Sequence, residues 1–174
     1  MISRLGHVGI HVRDLEKSKR FYSELLGLTV TDVDPTMEMV FLSARPEVEH
    51  HELLLCGGRD APLDEKMVQQ ISFRCDTLED VIEHYNRLAA ADVEIDMVVS
   101  HGNAIGVYFY DPDHNRCEVY WNTGLHARQP YLEGVDLSRP VDEIIAIVEE
   151  SVRLYGEDGF VDADFAARQS LPTS

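Results

Sequence analysis

The stretch "VQQISFRCDTLEDV", residues 68–81, is a rewritten copy of "LGHVGIHVRDLEKS", residues 5–18. A shift of 63 residues places Val8 on Ile71, Ile10 on Phe73, Asp14 on Thr77, Leu15 on Leu78, Tyr22 on Tyr85, Leu25 on Leu88 and Val30 on Val93. Self-similarity of this kind means one supersecondary unit used twice. Each copy opens on strict alternation. Val8, Ile10 and Val12 oppose His7, Gly9 and His11; Ile71, Phe73 and Cys75 oppose Gln70, Ser72 and Arg74. Period two with one apolar face predicts a half-buried strand. A helix follows at once in each copy. Asp14 caps residues 15–26 with Gly27 as the stop, and Thr77 caps a helix running from Leu78 to about Ala90. Each helix covers the apolar face of its own sheet, which leaves the face carrying His7 and Gln70 to line a cleft.

Working outward, more strands follow each helix. They fall near residues 28–32, 39–43 and 52–56 in the first copy and 94–98, 104–110 and 116–121 in the second. The prediction is an α+β domain over residues 1–122, made of two βαβββ units at about 1–57 and 67–122, with residues 56–66 as linker. Residues 123–174 lie outside the repeat. They predict a helix at about 140–155, with Ser138 as cap, Pro140 in the first turn, Gly156 at the end and Ile144, Ile145, Val148 and Val152 as its apolar stripe. That helix covers core or a dimer seam, and the tail beyond it is expected to be mobile.

Composition bounds the rest. Apolar residues make up 44% of the 174, which is globular and not disordered. No run of about 18 apolar residues is present, and the N-terminus alternates too strictly for a signal peptide. The formal charge is −17, from 15 basic and 32 acidic residues, which argues against nucleic-acid and acidic-membrane partners. Cys56, Cys75 and Cys117 show no CxxC or CxxH spacing and read as core thiols in a reducing cytoplasm.

Strand parity then asks which polar residues meet. Cys117, Val119 and Trp121 form one face of their strand, so Glu118, Tyr120 and Asn122 form the other; Val107 and Phe109 likewise oppose Tyr108 and Tyr110. The faces away from the helices carry His7, Gln70, Tyr108, Glu118 and Tyr120. An imidazole, a carboxylate and an amide converging in a cleft make a hard-to-borderline metal site.

Two βαβββ units opening on "LGHVGIHVRDLEKSKRFYSELLGLTV" resemble the vicinal oxygen chelate superfamily, which includes glyoxalase I, bleomycin and fosfomycin resistance proteins and type I extradiol dioxygenases. "PEVEHHELLL" and "SHGNAIGVYFYDPDHNRCEVYWNTG" look like the catalytic half of the extradiol ring-cleaving enzymes, which bind Fe(II), sometimes Mn(II), through two His and one Glu. By that resemblance His7 and Glu118 are metal ligands. His51 is similar to the family's acid/base histidine, and His101 to the cleft histidine that bonds substrate. Tyr108 and Tyr120 are similar to the tyrosines around substrate and metal. The implied substrates are a catechol-like aromatic and O2, and the implied assembly is a homodimer. One position departs: where the dioxygenases carry their second ligand His, this chain has Gln70. Three readings stand. Gln70 ligates through its amide oxygen; His51 or Glu52 completes the site, as in a glyoxalase-type isomerase or lyase; or no metal binds, and the cleft is a pocket for an aromatic or drug-like molecule.

Overall fold

The computed structural model describes residues 5–65 and 68–165. The chain divides into two compact units. One is the first repeat together with the turn Asp111–Asn115; the other is Gln70–Tyr110 with the chain from Arg116 onward.

The first unit carries β1 (Val8–His11), α1 (Leu15–Arg20), β2 (Thr29–Asp34), β3 (Met39–Ser43) and β4 (Leu53–Cys56). Its sheet runs β1-β4-β3-β2, with β1 parallel to β4 and the other pairs antiparallel. Asp14 caps α1 by accepting from the Lys17 N–H. The helix does not run on as a regular α-helix to residue 26. It widens into a π-helical turn over Phe21–Leu25, where the Leu26 N–H reaches back five residues to the Phe21 carbonyl at 3.2 Å. Ile10, Val12, Val40, Leu42, Leu53 and Leu55 form the buried layer, whereas Val8 is 37% exposed. Val8 opens β1, an edge strand, so the alternation expected there buries its apolar face only from Ile10 onward.

The turn Asp111–Asn115 is held in this unit by buried polar bonds. Asp111 accepts from the Tyr22 hydroxyl at 2.7 Å and from Asp113 N, Asn115 N and Asn115 Nδ2. Asp113 accepts from the Arg13 N–H and the Ser18 hydroxyl. Burial raises the Asp111 pKa, against those bonds, which pull it down.

The second unit repeats the plan with β5 (Ile71–Arg74), α2 (Leu78–Ala90), β6 (Ile95–Ser100), β7 (Ala104–Tyr110) and β8 (Arg116–Asn122). Here β5 lies parallel to β8, and β8-β7-β6 are antiparallel. Both repeats are therefore the βαβββ units of an α+β fold. Thr77 and Asp80 close a reciprocal capping box at the start of α2. Leu78, Val81 and Leu88 of α2, and Cys117 and Val119 of β8, are buried.

The segment after the repeat adds to this sheet. It supplies β9 (Tyr131–Gly134), antiparallel to β6, then α3 (Val141–Tyr155) and β10 (Phe160–Val161), parallel to β9. Ser138 does not cap α3: its N–H and hydroxyl bond Asp136, and Pro140 stands at the helix start. The chain just beyond α3 is tied down where a mobile tail is expected. There β10 pairs with β9, and Phe165 is only 8% exposed among Val99 and Tyr108. The expected tail beyond residue 165 lies outside the described residues. Among the described residues no helix is long and apolar enough to cross a membrane.

Candidate functional site

In the second unit the site is built across three paired strands. The register sets Ser72 of β5 and Tyr108 of β7 on either side of Glu118 of β8. Glu118 is only 6% exposed. Its Oε2 accepts from the Ser72 hydroxyl at 2.6 Å and from Gln70 Nε2 at 3.2 Å, and Gln70 Nε2 also donates to Ser72 Oγ at 2.8 Å. The amide of Gln70 therefore spends its nitrogen end inside this triad. Gly106 of β7 makes the room. A Cβ there would stand 2.6 Å from Glu118 Oε1, so any side chain at this strand position would displace the carboxylate.

Beside Glu118, the Tyr108 hydroxyl lies 3.0 Å from His101 Nε2, and His101 Nδ1 lies 2.9 Å from the Tyr131 carbonyl. A carbonyl only accepts, so Nδ1 carries a proton; in the neutral ring Nε2 is then the acceptor and Tyr108 donates to it. Burial pushes the Tyr108 phenol well above its ordinary value, and the Glu118 carboxylate adds to the rise. Tyr108 thus remains a proton donor at neutral pH. The Arg116 guanidinium caps the Tyr108 ring at 4.2 Å and is itself paired to Asp96 at 2.7 Å. Tyr120, two residues beyond Glu118, shares its face of β8, half-buried and in register with Gly106.

In the first unit His7 is exposed just ahead of β1, and its ring lies against His51, tilted by 44°, with centroids 4.3 Å apart. His51 also packs edge-on against Phe41 at 5.1 Å, and its Nδ1 lies 3.0 Å from His50 Nδ1. Burial and the neighbouring His7 and His50 lower the His51 pKa, which keeps its imidazole neutral at pH 7. Glu52 is engaged elsewhere. It takes the Arg45 guanidinium at 2.7 Å, the Ala44 N–H at 3.0 Å and the Ser43 hydroxyl at 3.3 Å. Burial alone would raise its pKa, but the Arg45 and Ala44 bonds hold it below the usual carboxylate range.

The structure therefore joins Gln70, Glu118, Tyr108 and His101 in one unit and His7 and His51 in the other. Among the described residues no group of three or more His, Cys, Asp or Glu is gathered to hold a metal. The residue types suit a hard-to-borderline divalent ion, through a Glu118 carboxylate oxygen and the amide oxygen of Gln70, whereas the 3.2 Å Gln70–Glu118 contact is an N–H···carboxylate hydrogen bond made by the other end of that amide. Ser72, Gly106, Arg116 and Tyr131 are site residues that the sequence does not single out. Ser72 is within reach of sequence reasoning, since it shares strand parity with Gln70; Tyr131 acts through its backbone carbonyl, for which a sequence carries no signal.

The family model described as "Glyoxalase/Bleomycin resistance protein/Dioxygenase superfamily" matches residues 4–119. The chain belongs to this superfamily. Among its relatives, biphenyl-2,3-diol 1,2-dioxygenase 3 of Rhodococcus globerulus is 30% identical over 121 residues, covering 67% of this chain and 62% of that protein. The manganese-dependent 2,3-dihydroxybiphenyl 1,2-dioxygenase of Geobacillus genomosp. 3 is 29% identical over 124 residues, 70% of this chain and 37% of that one. This superfamily member is thus matched to less than two thirds of the length of either dioxygenase. A solved structure of the fosfomycin resistance protein FosX from Listeria monocytogenes superposes with a TM-score of 0.57 at 26% identity, covering 69% of this chain and 92% of that one.

Proposed function

We propose that this chain is an extradiol-type ring-cleaving dioxygenase of a catechol-like aromatic, using Fe(II) or Mn(II) held by His7, Gln70 and Glu118. The observation that carries the reading is the Tyr108–His101 donor–acceptor pair set beside the Gln70–Glu118 contact. Two dioxygenases of vicinal diols among the relatives support it, one of them manganese-dependent. A glyoxalase-type ligand set needs Glu52, which Arg45, Ala44 and Ser43 hold in place.

When bound, a divalent ion would supply Lewis-acid and one-electron chemistry for the reaction of a diol with O2. The chain supplies the proton handling and the grip on substrate. His51, neutral and half-buried, accepts a proton from the diol. Tyr108 holds its proton at Oη and donates to a developing substrate oxyanion, with His101 Nε2 as its alternative acceptor. Tyr120 lines the aromatic's ring, and Arg116 keeps the Tyr108 ring in place. A homodimer in the cytoplasm completes the reading.

The test is anaerobic loading with Fe(II) or Mn(II), then catechol and 2,3-dihydroxybiphenyl, then air. A yellow ring-fission product with matching O2 uptake is expected. Stoichiometric metal with no product across a panel of catechols overturns the reading, as does a chain that retains an aromatic ligand but no metal.

A further inference from the structure

The segment after Asn122 lies beyond the family match, which ends at residue 119, yet it surrounds one pair of side chains. The Tyr131 carbonyl in β9 receives His101 Nδ1 at 2.9 Å. Gln129 Nε2 donates to the His101 carbonyl at 3.0 Å. Thr123 donates its hydroxyl to the Gly102 carbonyl at 2.8 Å. Gly102 itself is buried with φ +73°, and a Cβ there would overlap Ala127 and crowd Val152 and Tyr131. Tyr131 is in turn anchored: it is 1% exposed, and its hydroxyl meets the Ser151 hydroxyl of α3 at 2.6 Å. Phe165 closes the other side, packed with Val99 against Tyr108.

We propose that this segment is the positioning device for the His101–Tyr108 pair. Gln129, Tyr131 and Ser151 fix the His101 loop and make Nδ1 the protonated nitrogen. Nε2 is thereby kept as the one ring atom that accepts the Tyr108 hydroxyl, while Phe165 seats the Tyr108 ring. Without the carbonyl the neutral imidazole would sample both tautomers, and the Nε2–H form would turn the Tyr108 hydroxyl from donor to acceptor. The catalytic use of the pair rests on the dioxygenase reading; the tautomer does not.

The full chain, with 15N-labelled histidine, tests this by long-range proton–nitrogen correlation. The wild type should show His101 as the Nδ1–H tautomer with a slowly exchanging Nδ1 proton. Ser151→Ala and Gln129→Ala should each speed that exchange roughly fivefold, the worth of one hydrogen bond, and mix the tautomers. Ser151→Thr, which keeps the hydroxyl, should restore the wild-type signature. If ring cleavage is present, the same variants should lower kcat with KM unmoved. An Nε2–H tautomer in the wild type overturns the proposal, as do two folded alanine variants with wild-type tautomer and exchange. A fixed Nδ1–H tautomer without ring cleavage leaves the positioning intact and removes only the dioxygenase reading.

Discussion

At position 70 an amide stands where the dioxygenase pattern places an imidazole, and its nitrogen is committed to Ser72 and Glu118. Only the oxygen is then left for an ion, and a neutral amide oxygen is a weaker donor than imidazole for Fe(II) or Mn(II). Gln70→His should therefore tighten Fe(II) binding, by about tenfold for a gain of 1.4 kcal/mol, in competition against a chelator. An unchanged affinity removes Gln70 from the ligand set. Position 106 gives a second test at this scale. Gly106→Ala puts a methyl 2.6 Å from Glu118 Oε1, so the carboxylate or the strand must move. Overpacking of this kind costs about 1–3 kcal/mol, and the variant should lose metal affinity along with stability. Denaturant melts and metal titration of the same preparation check both.

Among the elements, the repeat makes most of the fold readable. Two capped helices and two alternating strands at one spacing predict both sheets, and parity places Glu118 and Gln70 on one face. The site's remaining parts are hidden from the sequence for physical reasons. His101 is oriented by a backbone carbonyl, and Ser72 acts through a register that exists only once β5 lies beside β8. The segment after Asn122 joins the sheet by short strands without periodic pattern. Glu52 shows a loop element at work, tying Arg45 and Ala44 to the start of β4. Its pKa is depressed in the folded state, so its stabilisation is present above the unfolded carboxylate value, near 4.3, and is lost as pH falls through the folded value. Arg45 is half exposed, so screening keeps the contribution small. Glu52→Gln should cost about 1 kcal/mol at pH 7, and urea melts should show the gap from wild type closing in acid. A gap that is constant from pH 7 to pH 3 would contradict the Arg45–Glu52 account.

The whole molecule carries a formal charge of −17, from 32 acidic and 15 basic residues. Self-repulsion of that size weakens the compact state at low salt, and any divalent cation relieves it without a specific site. A rise in melting temperature with Mn(II) is therefore not by itself evidence of ligation. The contrast needed is Mn(II) against Mg(II) at equal ionic strength, because the general acidic field responds to both while an imidazole–amide–carboxylate set favours Mn(II). At a free concentration 100 times Kd, a site specific to the native state adds about 2.7 kcal/mol, a few degrees for a chain of this size. The wild type should show that excess for Mn(II) over Mg(II), and Glu118→Gln should melt at the same temperature with either ion. Equal shifts from both ions in the wild type would leave surface screening as the whole effect and take Glu118 out of the proposed ligand set.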